Sequence, residues 1–204
     1  MLNTLADLAN SMNAVLTRFG FPTHPADSYR YFIGEGTDCL VRRALPKDRL
    51  DDETVSKSLA ALRDEYGKRW ADNTKPYPGI PELLSALQGR KIPMAVLSNK
   101  PDEFTQITVE KLLPSWSFQI VRGVTPSVPK KPDPAAAIDI ARELQIPPCR
   151  FIYLGDTNTD MQTACAAGMY AVGALWGFRT AEELLANDAK TLAENPQDVL
   201  KFFQ

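Results

Sequence analysis

The stretch FIYLGDTNTD, residues 151–160, predicts the fold of this chain. Its apolar residues run directly into Gly155 and Asp156, a pattern typical of a strand buried on both faces in a parallel sheet. Asp156 follows the carboxyl end of that strand, where open α/β sheets bind their ligands. The polar residues after it lead into a run of good helix formers that ends at Gly168. The stretch therefore predicts the strand, loop and helix of a parallel α/β unit.

The two acids of this stretch, Asp156 and Asp160, are candidate metal ligands. From the loop and the first helical turn they could converge on a hard cation such as Mg²⁺, which takes oxygen ligands. A purely structural interpretation is equally open, with Asp160 as a helix-capping acid and Asp156 as a turn residue.

The rest of the chain shows two different patterns. Helix and strand signals alternate from residue 77 onward, with helices expected at 80–87, 102–113 and 133–144 and strands at 92–97, 118–121, 151–154 and 170–175. This alternation predicts a parallel sheet with helices on both faces. Upstream, residues 3–19, 39–45 and 51–72 carry apolar residues at helical spacing, so we expect an all-helical first third without strands. Residues 180–204 are expected to be helical and peripheral.

Composition excludes several function classes. The chain has 204 residues, of which 44% are hydrophobic and 24% charged, as in ordinary globular proteins. A net charge of −2 gives no electrostatic reason to expect nucleic acid or an anionic membrane as partner. Cys39, Cys149 and Cys165 lie far apart, which argues against a disulfide framework or zinc site and for a cytoplasmic location. No signal peptide or membrane span is visible, and the oligomeric state stays open.

Two further polar clusters follow predicted strands. Ser98, Asn99 and Lys100 come directly after residues 92–97. A hydroxyl and backbone N–H groups at a strand end can bind an anion, although Ser98 or Asn99 could equally cap the next helix.

The second cluster is the segment KKPDP, residues 130–134. Pro132 biases Lys131 toward an extended backbone, from which its ammonium could meet a phosphoryl group. Lysines in loops are also often merely solvated. Hydroxyl, lysine and paired acids in this order nevertheless fit a site for phosphate and Mg²⁺.

The order of these clusters resembles the haloacid dehalogenase-like hydrolases, and within them the phosphoglycolate phosphatase group. The matching segments are SNK at 98–100, KPDP at 131–134, GDTNTD at 155–160, YPGI at 77–80, IGEG at 33–36 and WGFR at 176–179. The resemblance implies a Rossmann-like core at 76–204 and an all-helical cap domain at 5–75. It also implies a hydrolase that cleaves the phosphate of small phosphorylated metabolites with Mg²⁺.

The resemblance further implies roles for individual residues. Ser98 and Asn99 would hold the phosphoryl oxygens, and Lys131 would neutralise them. Asp156 would bind Mg²⁺, and Asp160 would support the metal or orient Lys131.

Substrate choice in this family lies mainly in the cap. Gly34 and Gly36 allow a tight backbone turn that could approach a ligand, although such turns usually serve folding alone. Arg43, on the helix that follows, could meet a carboxylate such as that of phosphoglycolate, or could simply be exposed to solvent.

One part of the family pattern is not found in the 204 residues. Family members form an aspartyl-phosphate on an aspartate within Asp-x-Asp-Gly-Thr-Leu, with Mg²⁺ stabilising the developing charge. Residues 1–8 match the segment that follows this pattern. We therefore expect the chain as written to be inactive, and to lack a core strand between the strands at 92–97 and 151–154. The edges of those strands would be unpaired unless another segment fills the gap or the molecule rearranges or swaps.

Two other classes of function remain to be weighed. The alternative is a non-catalytic protein that binds phosphate or a partner on the same fold. A nucleotide-binding Rossmann protein lacks support, because no GxGxxG follows a strand.

Overall fold

Apolar residues at helical spacing build the first of two units into which the chain divides, Met1–Pro76. The structure is a computed structural model that describes residues 1–203. The helices of this unit are α1 (Leu5–Arg18), α2 (Tyr29–Phe32), α3 (Thr37–Ala44) and α4 (Asp52–Arg69). Helix α4 begins after Asp51, whose carboxylate accepts a hydrogen bond from the Thr54 N–H.

A short antiparallel ladder joins the two ends of this unit. Strand β1 (Leu2–Asn3) pairs with β2 (Lys75–Pro76). The prediction that the first third has no strand was therefore wrong. Strands of two residues are too short to show the alternation from which a strand is predicted.

Asp7, in the first turn of α1, binds the last loop of the same unit through its carboxylate. Its buried carboxylate accepts hydrogen bonds from the backbone and side chain of both Asn73 and Thr74, at 2.7–3.0 Å. Burial by itself would raise the pKa of Asp7, but these hydrogen bonds lower it below its ordinary value. The carboxylate therefore fixes the segment that leads into β2.

The second unit, from Tyr77 onward, is an α/β structure. Its strands are β3 (Ala95–Pro101), β4 (Ile120–Val124), β5 (Ile152–Gly155), β6 (Tyr170–Ala174) and β7 (Thr191–Ala193). Its helices are α5 (Ile80–Gly89), α6 (Asp102–Leu112), α7 (Ala135–Glu143), α8 (Asn158–Ala166) and α9 (Ala181–Ala186), followed by a 3₁₀ helix at Pro196–Phe203. All ladders of this unit are parallel, which confirms the predicted α/β class.

The C-terminal segment differs from its prediction. Strand β7 pairs with β6 and extends the sheet, so this segment is not simply helical and peripheral. With three residues, β7 is again too short to show a period.

The parallel strands form two ladders, β3–β4 and β5–β6–β7. Within residues 1–203, no ladder joins β3 to β5. Every residue of β5 is only half-buried, whereas Ala171–Ala174 of β6 are buried. An apolar strand such as β5 is normally buried on both faces, so its half-buried residues are more exposed than its sequence predicts. The lack of a core strand between β3 and β5 stays a prediction.

Small side chains let helices pack closely on the β5–β6–β7 sheet. The core cluster of this region consists of Ala137, Ala141, Met161, Ala164, Ala167, Met169, Ala171, Leu184 and Ala189. It fixes α7 and α8 on the sheet and thereby places the loops at the carboxyl ends of the strands. None of the described helices is both long and apolar enough to cross a membrane.

Candidate functional site

Lys131 lies at the centre of the predicted site in the second unit. Its ammonium donates to Asp160 Oδ1 at 2.7 Å and to the backbone oxygen of Leu97 at 3.2 Å. The side chains of Lys131 and Asp160 are only 11% and 8% exposed. The lysine is therefore a buried cation that links the end of β3 to the start of α8, and not a solvated loop residue.

Asn99 holds the backbone of Lys131 in place. Its Oδ1 accepts from the Lys131 N–H at 2.7 Å, and its Nδ2 donates to the Lys131 carbonyl at 3.0 Å. The carboxamide of Asn99 thus binds both the N–H and the carbonyl of Lys131, as the backbone of a neighbouring strand would. These two hydrogen bonds fix the loop that carries the lysine side chain. The Asn99 side chain thus binds Lys131, and its contact with phosphoryl oxygens stays a prediction.

Ser98 lies in β3, next to Leu97, whose carbonyl binds Lys131. The Ser98 hydroxyl oxygen accepts from the Lys100 N–H at 3.1 Å. That bond leaves the hydroxyl proton for donation to an anion. Ser98, next to Leu97 in β3, and Lys131, bound to the Leu97 carbonyl, therefore offer donors in the same region. Their binding of an anion stays a prediction.

Asp160 is a capping residue of α8. Its Oδ2 accepts from the N–H groups of Asp156 and Thr157 and from the Thr157 hydroxyl, at 2.6–3.2 Å. With the Thr157 hydroxyl accepting from the Asp160 N–H, this is a capping box, which confirms the structural interpretation of Asp160. A Cβ on Gly155 would lie 2.2 Å from the Asp160 Cβ, so only glycine permits this approach.

Charge stabilises the Lys131–Asp160 pair. Burial by itself would raise the pKa of Asp160, but the Lys131 ammonium and the Thr157 hydroxyl lower it. Conversely, burial would lower the pKa of Lys131, and the Asp160 carboxylate raises it above its ordinary value. Both groups stay ionised at neutral pH. With four donors on its two oxygens, Asp160 is better placed to orient Lys131 than to bind a metal.

Asp156 has a different environment. Its Oδ2 accepts from the Phe178 N–H at 3.2 Å, and a Cβ on Gly177 would lie 2.1 Å from that oxygen. Burial and the negative charge of Asp160 raise the pKa of Asp156. A bound cation would offset both effects. The family resemblance of residues 176–179 did not indicate that the Phe178 N–H binds this carboxylate.

The oxygen chemistry of this loop fits Mg²⁺. Such ions are usually held by one or two carboxylates, with water and substrate phosphate completing the shell. Asn158, the first residue of α8, carries a buried Oδ1 that has no hydrogen-bond partner within residues 1–203 and is a second acceptor near Asp156. No group of three or more His, Cys, Asp or Glu residues suited to a metal occurs in the part of the chain that the structure describes. Water and substrate would therefore have to supply most of the shell.

The residues predicted to contact substrate lie in the first unit. Gly34 and Gly36 have positive φ angles of 124° and 94°, which explains the glycines of this turn. Arg43 donates to the Tyr31 carbonyl at 3.0 Å and pairs with the carboxylate of Glu35 within the same turn. Arg43 thus stabilises the turn, and contact of these residues with a substrate stays a prediction.

Comparisons with known proteins agree with this arrangement. The profile of the haloacid dehalogenase-like hydrolase family matches residues 1–174. A phosphoglycolate phosphatase of Pseudomonas syringae pv. tomato is 31% identical over 98% of this chain, which spans 72% of that relative. Its counterpart from Pseudomonas savastanoi pv. phaseolicola is 30% identical, with the same coverage of both chains.

Solved structures show the same fold. A candidate phosphoglycolate phosphatase from Lactobacillus delbrueckii subsp. bulgaricus superimposes with a TM-score of 0.91 at 26% identity, covering 97% of this chain and 91% of its own. A haloacid dehalogenase-like protein from Streptococcus pneumoniae has a TM-score of 0.89 at 23% identity, covering 100% and 93%. On the match to residues 1–174, the chain belongs to the haloacid dehalogenase-like hydrolases.

Proposed function

We propose that this protein is a Mg²⁺-dependent phosphatase of small phosphorylated metabolites, of the phosphoglycolate phosphatase type. The observation that carries the proposal is the buried ammonium of Lys131, held between Asp160 and the end of β3. A cation fixed in a site of low dielectric constant stabilises negative charge more than one in water does. The names of the relatives support phosphoglycolate as the first substrate to test.

Anion binding is the task of Ser98 and Lys131 in this proposal. The Ser98 hydroxyl proton and a third N–H of Lys131 are available to phosphoryl oxygens, because an ammonium has three donors and two are used by Asp160 and Leu97. Asn99 acts on the lysine by fixing its backbone.

Asp156 would hold the metal, with Asn158 Oδ1 as a neighbouring oxygen ligand. A bound Mg²⁺ would supply charge neutralisation for the phosphoryl oxygens. The protein prepares this position by holding one oxygen of Asp156 on the Phe178 N–H.

Neither acid of this loop suits attack on phosphorus. Asp160 is saturated by donors, and Asp156 is the candidate metal ligand. We propose that hydrolysis needs an aspartate from the family pattern Asp-x-Asp-Gly-Thr-Leu and proceeds through an aspartyl-phosphate. The 204 residues by themselves are then expected to be inactive.

The test is phosphate release from 2-phosphoglycolate, with Mg²⁺ and with a chelator. It compares the 204-residue chain with a chain extended by a family strand that carries the pattern, and with a control whose two added aspartates are asparagines. We expect release only from the aspartate-bearing chain with Mg²⁺. Release from the short chain would place the nucleophile elsewhere, and no release from any chain with a panel of phosphate esters would refute the phosphatase proposal.

A non-catalytic phosphate-binding protein is the second candidate. The anion donors of Ser98 and Lys131 favour it, because they are complete without a nucleophile. Saturable binding of inorganic phosphate, together with no turnover in the extended chain, would support this alternative.

A further inference from the structure

Tyr153, in the middle of β5, carries a buried hydroxyl that the proposed chemistry does not use. No hydrogen bond to the hydroxyl is formed within residues 1–203. Buried polar groups almost always have partners, so an unpaired one in a candidate site indicates a function or an absent partner. The phenol ring itself packs against the core cluster beneath α7 and α8.

The direction of Tyr153 follows from the strand. Gly155 faces Asp160 so closely that a Cβ there would lie 2.2 Å from the Asp160 Cβ. Side chains two residues apart on a strand share a face, so Tyr153 lies on the same face as the Lys131–Asp160 pair.

Both charges of the Lys131–Asp160 pair act on the Tyr153 hydroxyl. Burial raises the pKa of Tyr153 to about 12, while the Lys131 ammonium lowers it and the Asp160 carboxylate raises it. The phenol is therefore protonated at neutral pH, and its oxygen remains an acceptor beside an ammonium.

The ammonium of Lys131 makes one strong and one weaker hydrogen bond, and the weaker one can be replaced. Its contact with Asp160 is short and joins opposite charges, whereas the contact with the neutral Leu97 carbonyl is longer, 3.2 Å against 2.7 Å. A phosphoryl oxygen that takes the third N–H of Lys131 draws the ammonium toward itself and thereby lengthens the weaker contact with the Leu97 carbonyl. The ammonium then needs another acceptor on its buried side.

We propose that Tyr153 is a positioning residue whose hydroxyl oxygen accepts an N–H of Lys131 when the ammonium turns from the Leu97 carbonyl to a bound phosphoryl oxygen. The role rests on the proposed phosphate site. Tyr153 does not touch the phosphoryl group, but it keeps Lys131 in the orientation in which the lysine does.

The test measures the affinity of the 204-residue chain for inorganic phosphate by calorimetry. Tyr153→Phe should weaken binding about tenfold, as expected for a lost hydrogen bond to a charged group. Its unfolding midpoint in urea should stay equal or rise, because the hydroxyl removed is unpaired. Tyr170→Phe, an exposed tyrosine of β6 bonded to Thr191, is the matched control and should bind as the wild type does.

Two further measurements separate positioning from general support of the fold. In a Lys131→Met background, Tyr153→Phe should have no additional effect on affinity. 3-Fluorotyrosine placed at 153 should shift its ¹⁹F resonance on phosphate addition in the wild-type sequence but not with Lys131→Met. This second readout holds even where Tyr153→Phe fails to fold.

The outcomes are distinguishable. Equal phosphate affinity of the wild type and Tyr153→Phe overturns the positioning role and leaves the phosphate site intact. An undiminished effect of Tyr153→Phe in the Lys131→Met background also overturns it. Absence of phosphate binding by the wild type overturns the positioning role, because Lys131 then has no phosphoryl oxygen to meet, whereas the proposed function is decided separately by phosphate release from the extended chain.

Discussion

Asp160→Asn is the most informative single change in the second unit. The asparagine keeps the shape of the side chain but leaves the buried Lys131 ammonium without its counter-charge. One of the two oxygens that accept from four donors also becomes an NH₂ group, which faces donors.

The magnitude follows from the burial of the pair. Removing one partner of a buried ion pair costs about 3–5 kcal/mol, and exposures of 11% and 8% leave little solvent to screen the remaining charge. We therefore expect the free energy of unfolding to fall by about that amount at pH 7. The matched control is Glu53→Gln, because its ion pair with Lys57 is exposed and should contribute nothing measurable.

Urea unfolding followed by circular dichroism checks this value, and its pH dependence checks the cause. The pKa of Asp160 lies below its ordinary value of 3.8 in the folded state, so its stabilisation is complete above about pH 4 and is lost as the pH falls through the folded pKa. The difference between wild type and variant should therefore be constant from neutral pH to about pH 4 and shrink below it. A loss under about 1 kcal/mol at pH 7, or a difference that persists in strong acid, would refute the reasoning.

Three other changes test separate contacts. Asp7→Asn should lower the free energy of unfolding by about 2–3 kcal/mol in urea, because an amide cannot accept from all the donors that this carboxylate binds; an unchanged midpoint would contradict this. Asn99→Ala releases the backbone of Lys131 and should weaken binding of inorganic phosphate in calorimetry severalfold, whereas unchanged affinity would show that the loop holds itself. Gly177→Ala places a methyl group against Asp156 and should weaken Mg²⁺ binding about tenfold or more in titrations; wild-type affinity would exclude this carboxylate as a ligand.

The sequence predicted the site better than it predicted the role of each residue. Lys131 joins Asp160, which follows β5, to β3, which contains Ser98. Alternation of helix and strand is enough to predict that residues beyond such apolar runs meet. The capping role of Asp160 could also be predicted from the sequence, because Thr157 lies three residues before it, as a capping box requires. The pairing of Asp160 with Asp156 as metal ligands stays a prediction.

Other contacts could not be predicted from the sequence around the residues that make them. Asn99 and Lys131 bind each other across 32 residues of sequence, and nothing at either position indicates the partner. The same holds for the carboxylate of Asp7 and its loop, and for strands of two or three residues, whose ladders depend on the finished fold.

The ladder between β1 and β2 also makes it possible to replace residues 4–74 as one segment. Because Asn3 is paired with Lys75, the segment at 4–74 starts and finishes at backbone positions about 4.5–5.5 Å apart. A segment from a relative with the same closed ends can replace it without stretching the connections, provided that it brings its own counterpart of Asp7 and of the loop that Asp7 binds. Chimaeras joined at these two positions offer a direct way to exchange one such segment for another while residues 77–203 stay unchanged.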